Sequence, residues 1–185
     1  MKIVCLGWGS LIWNPEDLLI KREWFENGPF LPIEFARQSN DGRLTLVITK
    51  SAKPIRTLWA EMSTTNLEIA KKSLSIREGI AEKNISSLIG CVKSDEIITN
   101  DKLKIVLRDW ALDLKIDAVI WTNLPTKFNK KSHNEPSLEE AVDYLNNLDV
   151  NKKSRAEEYI RRAPKQIETD LRRKFESEFG WTYKN

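Results

Sequence analysis

The apolar residues of this chain change their period partway along it, and that change limits the fold more than any single motif does. From Ser137 onward they recur at helical spacing. Leu138, Ala141, Val142, Leu145 and Leu148 make one stripe; Ala156, Tyr159, Ile160 and Ala163 make a second, stopped before Pro164; Leu171, Phe175 and Phe179 make a third, ended by Gly180. The first half reads differently. Lys2–Leu6, Leu31–Arg37, Leu44–Thr49 and Arg56–Met62 are short and rich in β-formers, and the turn residues Ser39-Asn40-Asp41-Gly42 join the second to the third. The last three of these are expected to form an antiparallel set. Strands first, then mixed elements, then helices alone implies an α+β fold.

Between those halves the elements alternate. Thr65-Asn66-Leu67-Glu68 reads as a capping box with Thr65 as N-cap, and Gly79 stands where a helix ends. Leu67, Ala70 and Leu74 follow helical spacing, with Ile69 and Ile76 on the opposite side, so burial on both faces is expected. Leu88–Val92 reads as a short strand, Asp101–Lys115 as an amphipathic helix and Asp117–Thr122 as a buried strand. Pro125–Pro136 is basic and polar, which suits a mobile or substrate-covering loop. Ser137-Leu138-Glu139-Glu140 is a second capping box.

Composition narrows the chemistry. One histidine and two cysteines among 185 residues cannot supply a His-rich or zinc-type metal site, and they make no disulfide framework. His133 is the one candidate for a histidine-based nucleophile device, and it lies in the polar run Lys130–Asn134. Acid–base chemistry is therefore expected to run on a carboxylate. The net charge of +3 asks for no polyanionic partner. No secretion signal or membrane span is visible, so no membrane partner and a reduced, cytoplasmic setting are expected.

Two features carry chemistry. Gly7-Trp8-Gly9-Ser10-Leu11 follows the first strand directly, and successive backbone N–H groups in such a turn can form an anion-binding nest. Its glycines suit a turn because they can take positive φ. The spacing fits no dinucleotide fingerprint, no Walker loop and no nucleophile elbow. It also fits a tight turn that packs an aromatic ring on the core. The second feature is Glu78, four residues beyond Leu74 on the apolar stripe. Burial there would raise its pKa toward the range of a working base. A salt bridge to a neighbour such as Arg56 fits the same position, and so does a carboxylate left in water by a fraying helix.

Together these residues resemble a family. Gly7-Trp8-Gly9-Ser10-Leu11-Ile12-Trp13-Asn14-Pro15 resembles the N-terminal motif of the gamma-glutamylcyclotransferase superfamily, especially its ChaC-like branch, which reads Gly-Tyr-Gly-Ser-Leu-x-Trp-x-Pro. Phe35, Ser39, Asp41 and Arg43 resemble its Phe-x-x-x-Ser-x-Asp-x-Arg stretch, Arg77-Glu78 its helix-end Arg-Glu pair, and Glu139–Leu148 its late helix. The likeness spans about residues 3–150, so it implies a cyclotransferase-like domain over 1–150 and a helical C-terminal extension over 151–185 packed on it. It further implies a small mixed β-barrel with peripheral helices. In the family the loop amides hold a γ-glutamyl group and the helix-end glutamate is the general base. Those roles carry over to Gly9, Ser10 and Leu11 and to Glu78, with Trp8 as a pocket wall. Trp8 stands where the family has Tyr, which removes a phenolic hydroxyl.

The implied reaction releases 5-oxoproline and a free amine from a γ-glutamyl peptide or γ-glutamyl amine, and it needs no metal or cofactor. Two other readings stay open. One is a small-molecule binding module on the same fold without the chemistry. The other is nucleic-acid binding through the tail, where residues 151–185 hold 10 Lys and Arg against 6 Asp and Glu; the acidic residues between the basic pairs suit an ordinary solvated face better. Trp13, Trp59, Trp110 and Trp121 are expected in the core, with Trp121, at a strand end beside the Pro125 loop, as the candidate exception. Cys5 and Cys91 are expected as small buried apolar residues, and Arg37 and Arg43 in surface salt bridges.

Overall fold

The structure, a computed structural model, describes residues 1–21 and 23–184. Its strands are β1 (Ile3–Gly7), β2 (Phe30–Gln38), β3 (Leu44–Ile48), β4 (Pro54–Arg56), β5 (Leu58–Glu61), β6 (Ile89–Lys93), β7 (Ala118–Thr122), β8 (Lys127–Phe128) and β9 (Lys131–Ser132). The α-helices among the described residues are α1 (Leu67–Arg77), α2 (Ile85–Leu88), α3 (Lys102–Asp113), α4 (Leu138–Asn146), α5 (Val150–Arg162) and α6 (Asp170–Phe179). The fold is α+β, with two mixed sheets. The chain divides into two compact units: Met1–Gly7, Asn14–Phe30 and Arg56–Asn123 make the first; Trp8–Trp13, Leu31–Ile55 and Leu124–Asn185 make the second.

The first unit holds a four-stranded sheet in the order β5-β1-β7-β6. β1 and β7 run parallel at its centre, with Val4 opposite Val119 and Cys5 opposite Ile120. Both are buried along almost their whole length, as parallel strands at the centre of a sheet usually are. α1 and α3 pack on β6 and β7.

Three expectations are corrected here. Arg56–Met62 is not one strand paired with β2 and β3. Thr57 interrupts it, giving both its N–H and its hydroxyl to the Pro29 carbonyl at 3.1 and 2.8 Å. β5 then pairs antiparallel with β1, Cys5 opposite Ala60. The N-cap of α1 is Asn66, not Thr65; its side-chain oxygen accepts from the N–H groups of Glu68 and Ile69. Finally α1 buries one face only, Ala70, Leu74 and Ser75, while Ile69 and Ile76 are 49% and 66% exposed.

The second unit holds the sheet β3-β2-β8-β9, with β4 also on β2. β2 and β3 form the expected hairpin, Leu46 opposite Phe35. Gly42 in its turn has φ +92, a conformation that other residues rarely adopt. Neither sheet closes on itself along the pairings of the described residues. The stretch 125–136 departs from expectation: it carries the β8–β9 hairpin, tied to β2 by parallel pairing. Phe128 is buried, and Arg37 Nη1 donates to the Pro125 carbonyl at 2.7 Å, so its first half belongs to the sheet rather than to a mobile cover.

The three last helices start and stop as the sequence pattern requires. The Ser137–Glu140 capping box is present on α4. Asp149 and Thr169 cap α5 and α6, and Gly180 ends α6 at φ +68. Glu34 of β2 accepts from the Leu171 N–H at the start of α6, at 3.2 Å, and burial pushes its carboxyl above the ordinary glutamate range.

Candidate functional site

β1 ends at Gly7, and the chain enters a turn at once. The Ile12 N–H donates to the Gly9 carbonyl at 3.0 Å, closing residues 9–12 into a turn. Trp8 is buried, and its indole N–H donates to the Leu46 carbonyl at 3.1 Å. Leu46 lies on β3, which pairs only with β2 among the described strands, so one edge of β3 has no strand partner. Opposite residues in an antiparallel pair alternate between exchanging both bonds and aiming their groups outward. The outward groups of Leu46 are both used: its carbonyl by Trp8, and its N–H by the hydroxyl of Tyr159 at 3.3 Å. Two amphipathic aromatic tips thus cover an open sheet edge.

Gly9 has a different reason from the one expected. It does not adopt positive φ. A Cβ at Gly9 would stand 2.5 Å from the Tyr159 hydroxyl oxygen, so the absence of a side chain lets the two meet. Ser10 is half-buried and Leu11 is buried beside it. The ring of Tyr159 is enclosed: Trp13 meets it edge-on at 5.4 Å, Phe35 edge-on at 6.3 Å, and the Arg43 guanidinium lies 5.2 Å from its centroid. Arg43 is itself paired with Asp41 at 2.9 Å. Tyr159 reads from the sequence only as one apolar position of α5. What marks it is that a buried Tyr needs a polar partner for its hydroxyl.

Glu78 belongs to the first unit. It is the C-cap of α1, with φ −88 and ψ 0, and its N–H still donates to the Leu74 carbonyl at 3.0 Å. Gly79 follows at φ +65, so α1 ends as its sequence says. The carboxylate pairs with Arg77 Nη1 at 2.7 Å, and the two side chains are 15% and 9% exposed. Arg77 is held in turn by the Asn14 carbonyl, which accepts from Nε and Nη2 at 3.2 and 2.8 Å. The helix therefore does not fray before Glu78. The ion pair is real, but its cation is Arg77; Arg56 instead lies 4.5 Å from the centroid of the Phe30 ring. A carboxylate fixed by a guanidinium and mostly withdrawn from water is oriented, which a proton-transfer group requires.

Cys5, on β1, reports on this carboxylate. Burial, and after it the charge of Glu78, push its thiol far above the ordinary cysteine range. Native protein treated with iodoacetamide near pH 8 should therefore keep Cys5 unmodified until it unfolds. Peptide mapping checks this, and rapid native alkylation at Cys5 would contradict the burial. Cys91 is half-buried, and its thiol too is raised by burial.

The remaining candidates are structural or peripheral. Trp59 and Trp121 are buried, so Trp121 is no exception, while Trp13 and Trp110 are half-buried. Four basic residues of the tail are paired along their own helices: Arg161 with Glu157, Arg162 with Glu158, Arg173 with Asp170 and Lys174 with Glu178. Arg172 is 2% exposed and donates to the Pro164 and Ile167 carbonyls, which removes it from any basic surface. Among the described residues no group of three His, Cys, Asp or Glu side chains is placed to hold a metal ion, and no helix is long and apolar enough to cross a membrane. Compared with protein-family models, curated proteins and solved structures, the chain matches none.

Proposed function

We propose that the chain is a gamma-glutamylcyclotransferase-like enzyme whose partner is a small γ-glutamyl molecule, and that it has the small mixed β-barrel of that family. The observation that carries this reading is Glu78: an oriented, largely buried carboxylate at the end of α1, at the position of the helix-end Arg-Glu pair. The resemblance of the Gly7–Pro15 motif is the second support for the reading.

The chemistry needs little beyond these groups. In a γ-glutamyl amide the α-amino nitrogen attacks the γ-carbonyl carbon. A carbon–nitrogen bond forms within a five-membered ring, and the original amide bond breaks. The products are 5-oxoproline and an amine, and no water is consumed. Because the nucleophile belongs to the substrate, the protein has to fix one rotamer and move protons. Glu78 takes the proton from the attacking amine and delivers it to the departing one. Amides of Gly9, Ser10 and Leu11 receive the substrate carboxylate or the developing oxyanion.

A panel of γ-glutamyl peptides and γ-glutamyl amines, assayed for 5-oxoproline, tests the reading. Turnover of at least one member is expected. Binding of a panel member with no 5-oxoproline from any of them would favour a binding module instead.

A further inference from the structure

The C-terminal helices have no part in the proposed reaction as it stands, yet α5 sends one side chain to the substrate loop. We propose that Tyr159 is a positioning residue for that loop: its hydroxyl sets where Gly9 and the amides after it lie, which makes α5 part of the site. The catalytic half of this inference rests on the cyclotransferase reading.

Three observations converge on the hydroxyl. It occupies the space that a side chain at residue 9 would fill, 2.5 Å from the position of a Cβ. It is fixed from the other side by the Leu46 N–H at 3.3 Å, and the Leu46 carbonyl anchors Trp8, the residue before Gly9, at 3.1 Å. One residue of β3 therefore holds both the loop and the phenol that touches it. The ring, finally, has little freedom: Tyr159 is 5% exposed, edge-on to Trp13 at 5.4 Å and under Arg43 at 5.2 Å. Trp8 spends its own polar atom on β3, so the phenolic oxygen found at this loop comes from residue 159. Amide donors act on a transition state only where they are placed, and a displacement of about 1 Å can cost about a hundredfold in rate.

Gly9→Ala, Tyr159→Phe and the double variant test the contact and its consequence separately. An alanine Cβ at residue 9 would meet the hydroxyl oxygen at 2.5 Å but the ring carbon Cζ only at 3.4 Å. Removing the hydroxyl therefore makes room for it. Gly9→Ala alone should lower Tm by about 5 °C or more, and Tyr159→Phe alone by about 2–4 °C for one lost hydrogen bond. The double variant should be no less stable than Gly9→Ala. Losses that simply add would overturn the contact. With a turned-over substrate, Tyr159→Phe should lower kcat about tenfold or more while KM moves less than about threefold. An unchanged kcat would overturn the positioning role even if the thermal coupling is seen. If the wild-type protein turns over nothing, the cyclotransferase reading fails, and the thermal cycle still decides whether Tyr159 positions Gly9.

Discussion

Glu78→Gln should abolish most 5-oxoproline release, lowering kcat by at least about a hundredfold, while the protein stays folded. The substitution keeps the side-chain shape and one oxygen, so Arg77 Nη1 can still donate where it now meets the carboxylate at 2.7 Å. Arg77 also keeps its two bonds to the Asn14 carbonyl. The N–H of residue 78 still closes α1 on the Leu74 carbonyl. What the amide cannot do is accept and return a proton, so the loss should fall on kcat with a smaller change in KM. The measurement is steady-state 5-oxoproline release beside thermal unfolding. Activity that survives in a folded Glu78→Gln protein removes Glu78 from the mechanism. Arg77→Ala gives a complementary readout. It leaves the carboxylate chemically intact but unheld, and should cost activity without matching the loss in Glu78→Gln.

Local signals in the sequence proved readable where one short segment decides the outcome without a competing neighbour. The Ser137 capping box, the Gly79 and Gly180 helix ends and the central strands β1 and β7 all follow from residues within a few positions of each other. The α1 cap fell one residue away, because Thr65 and Asn66 are both good caps and their competition is settled by geometry. Long-range pairing was not legible. Nothing near Leu58–Glu61 says that it joins β1 rather than β2, since both partners are apolar strands. The same holds at the candidate site. The loop and Glu78 stand out as residues, but the meeting of Gly9 with Tyr159 joins segments far apart in sequence, and only the missing Cβ hints at it. Trp8 departs from the motif that the loop resembles, and its indole N–H is held by the Leu46 carbonyl.

Gly90→Ala should be strongly destabilising to the first unit. Gly90 lies on β6, an edge strand, directly opposite Trp121 of β7. Directly opposite residues in an antiparallel pair share one face, so the indole lies across the glycine, an arrangement that covers the weak point a strand glycine creates. A Cβ at Gly90 would stand 2.0 Å from the Trp121 ring carbon Cε2 and 2.4 Å from Cζ2 and Nε1, closer than any packed contact. The atoms in the way are the body of a rigid ring that is 2% exposed, not the end of a flexible chain. Either the ring leaves its place or β6 moves off β7. Overpacking of this kind costs about 3 kcal/mol, hence a Tm lower by about 6–12 °C in a chain of this size. Trp121→Leu in the same protein removes the ring and should recover part of that loss, although Trp121→Leu alone is destabilising through the cavity it leaves. An unaltered Tm for Gly90→Ala would mean that Trp121 does not lie over Gly90.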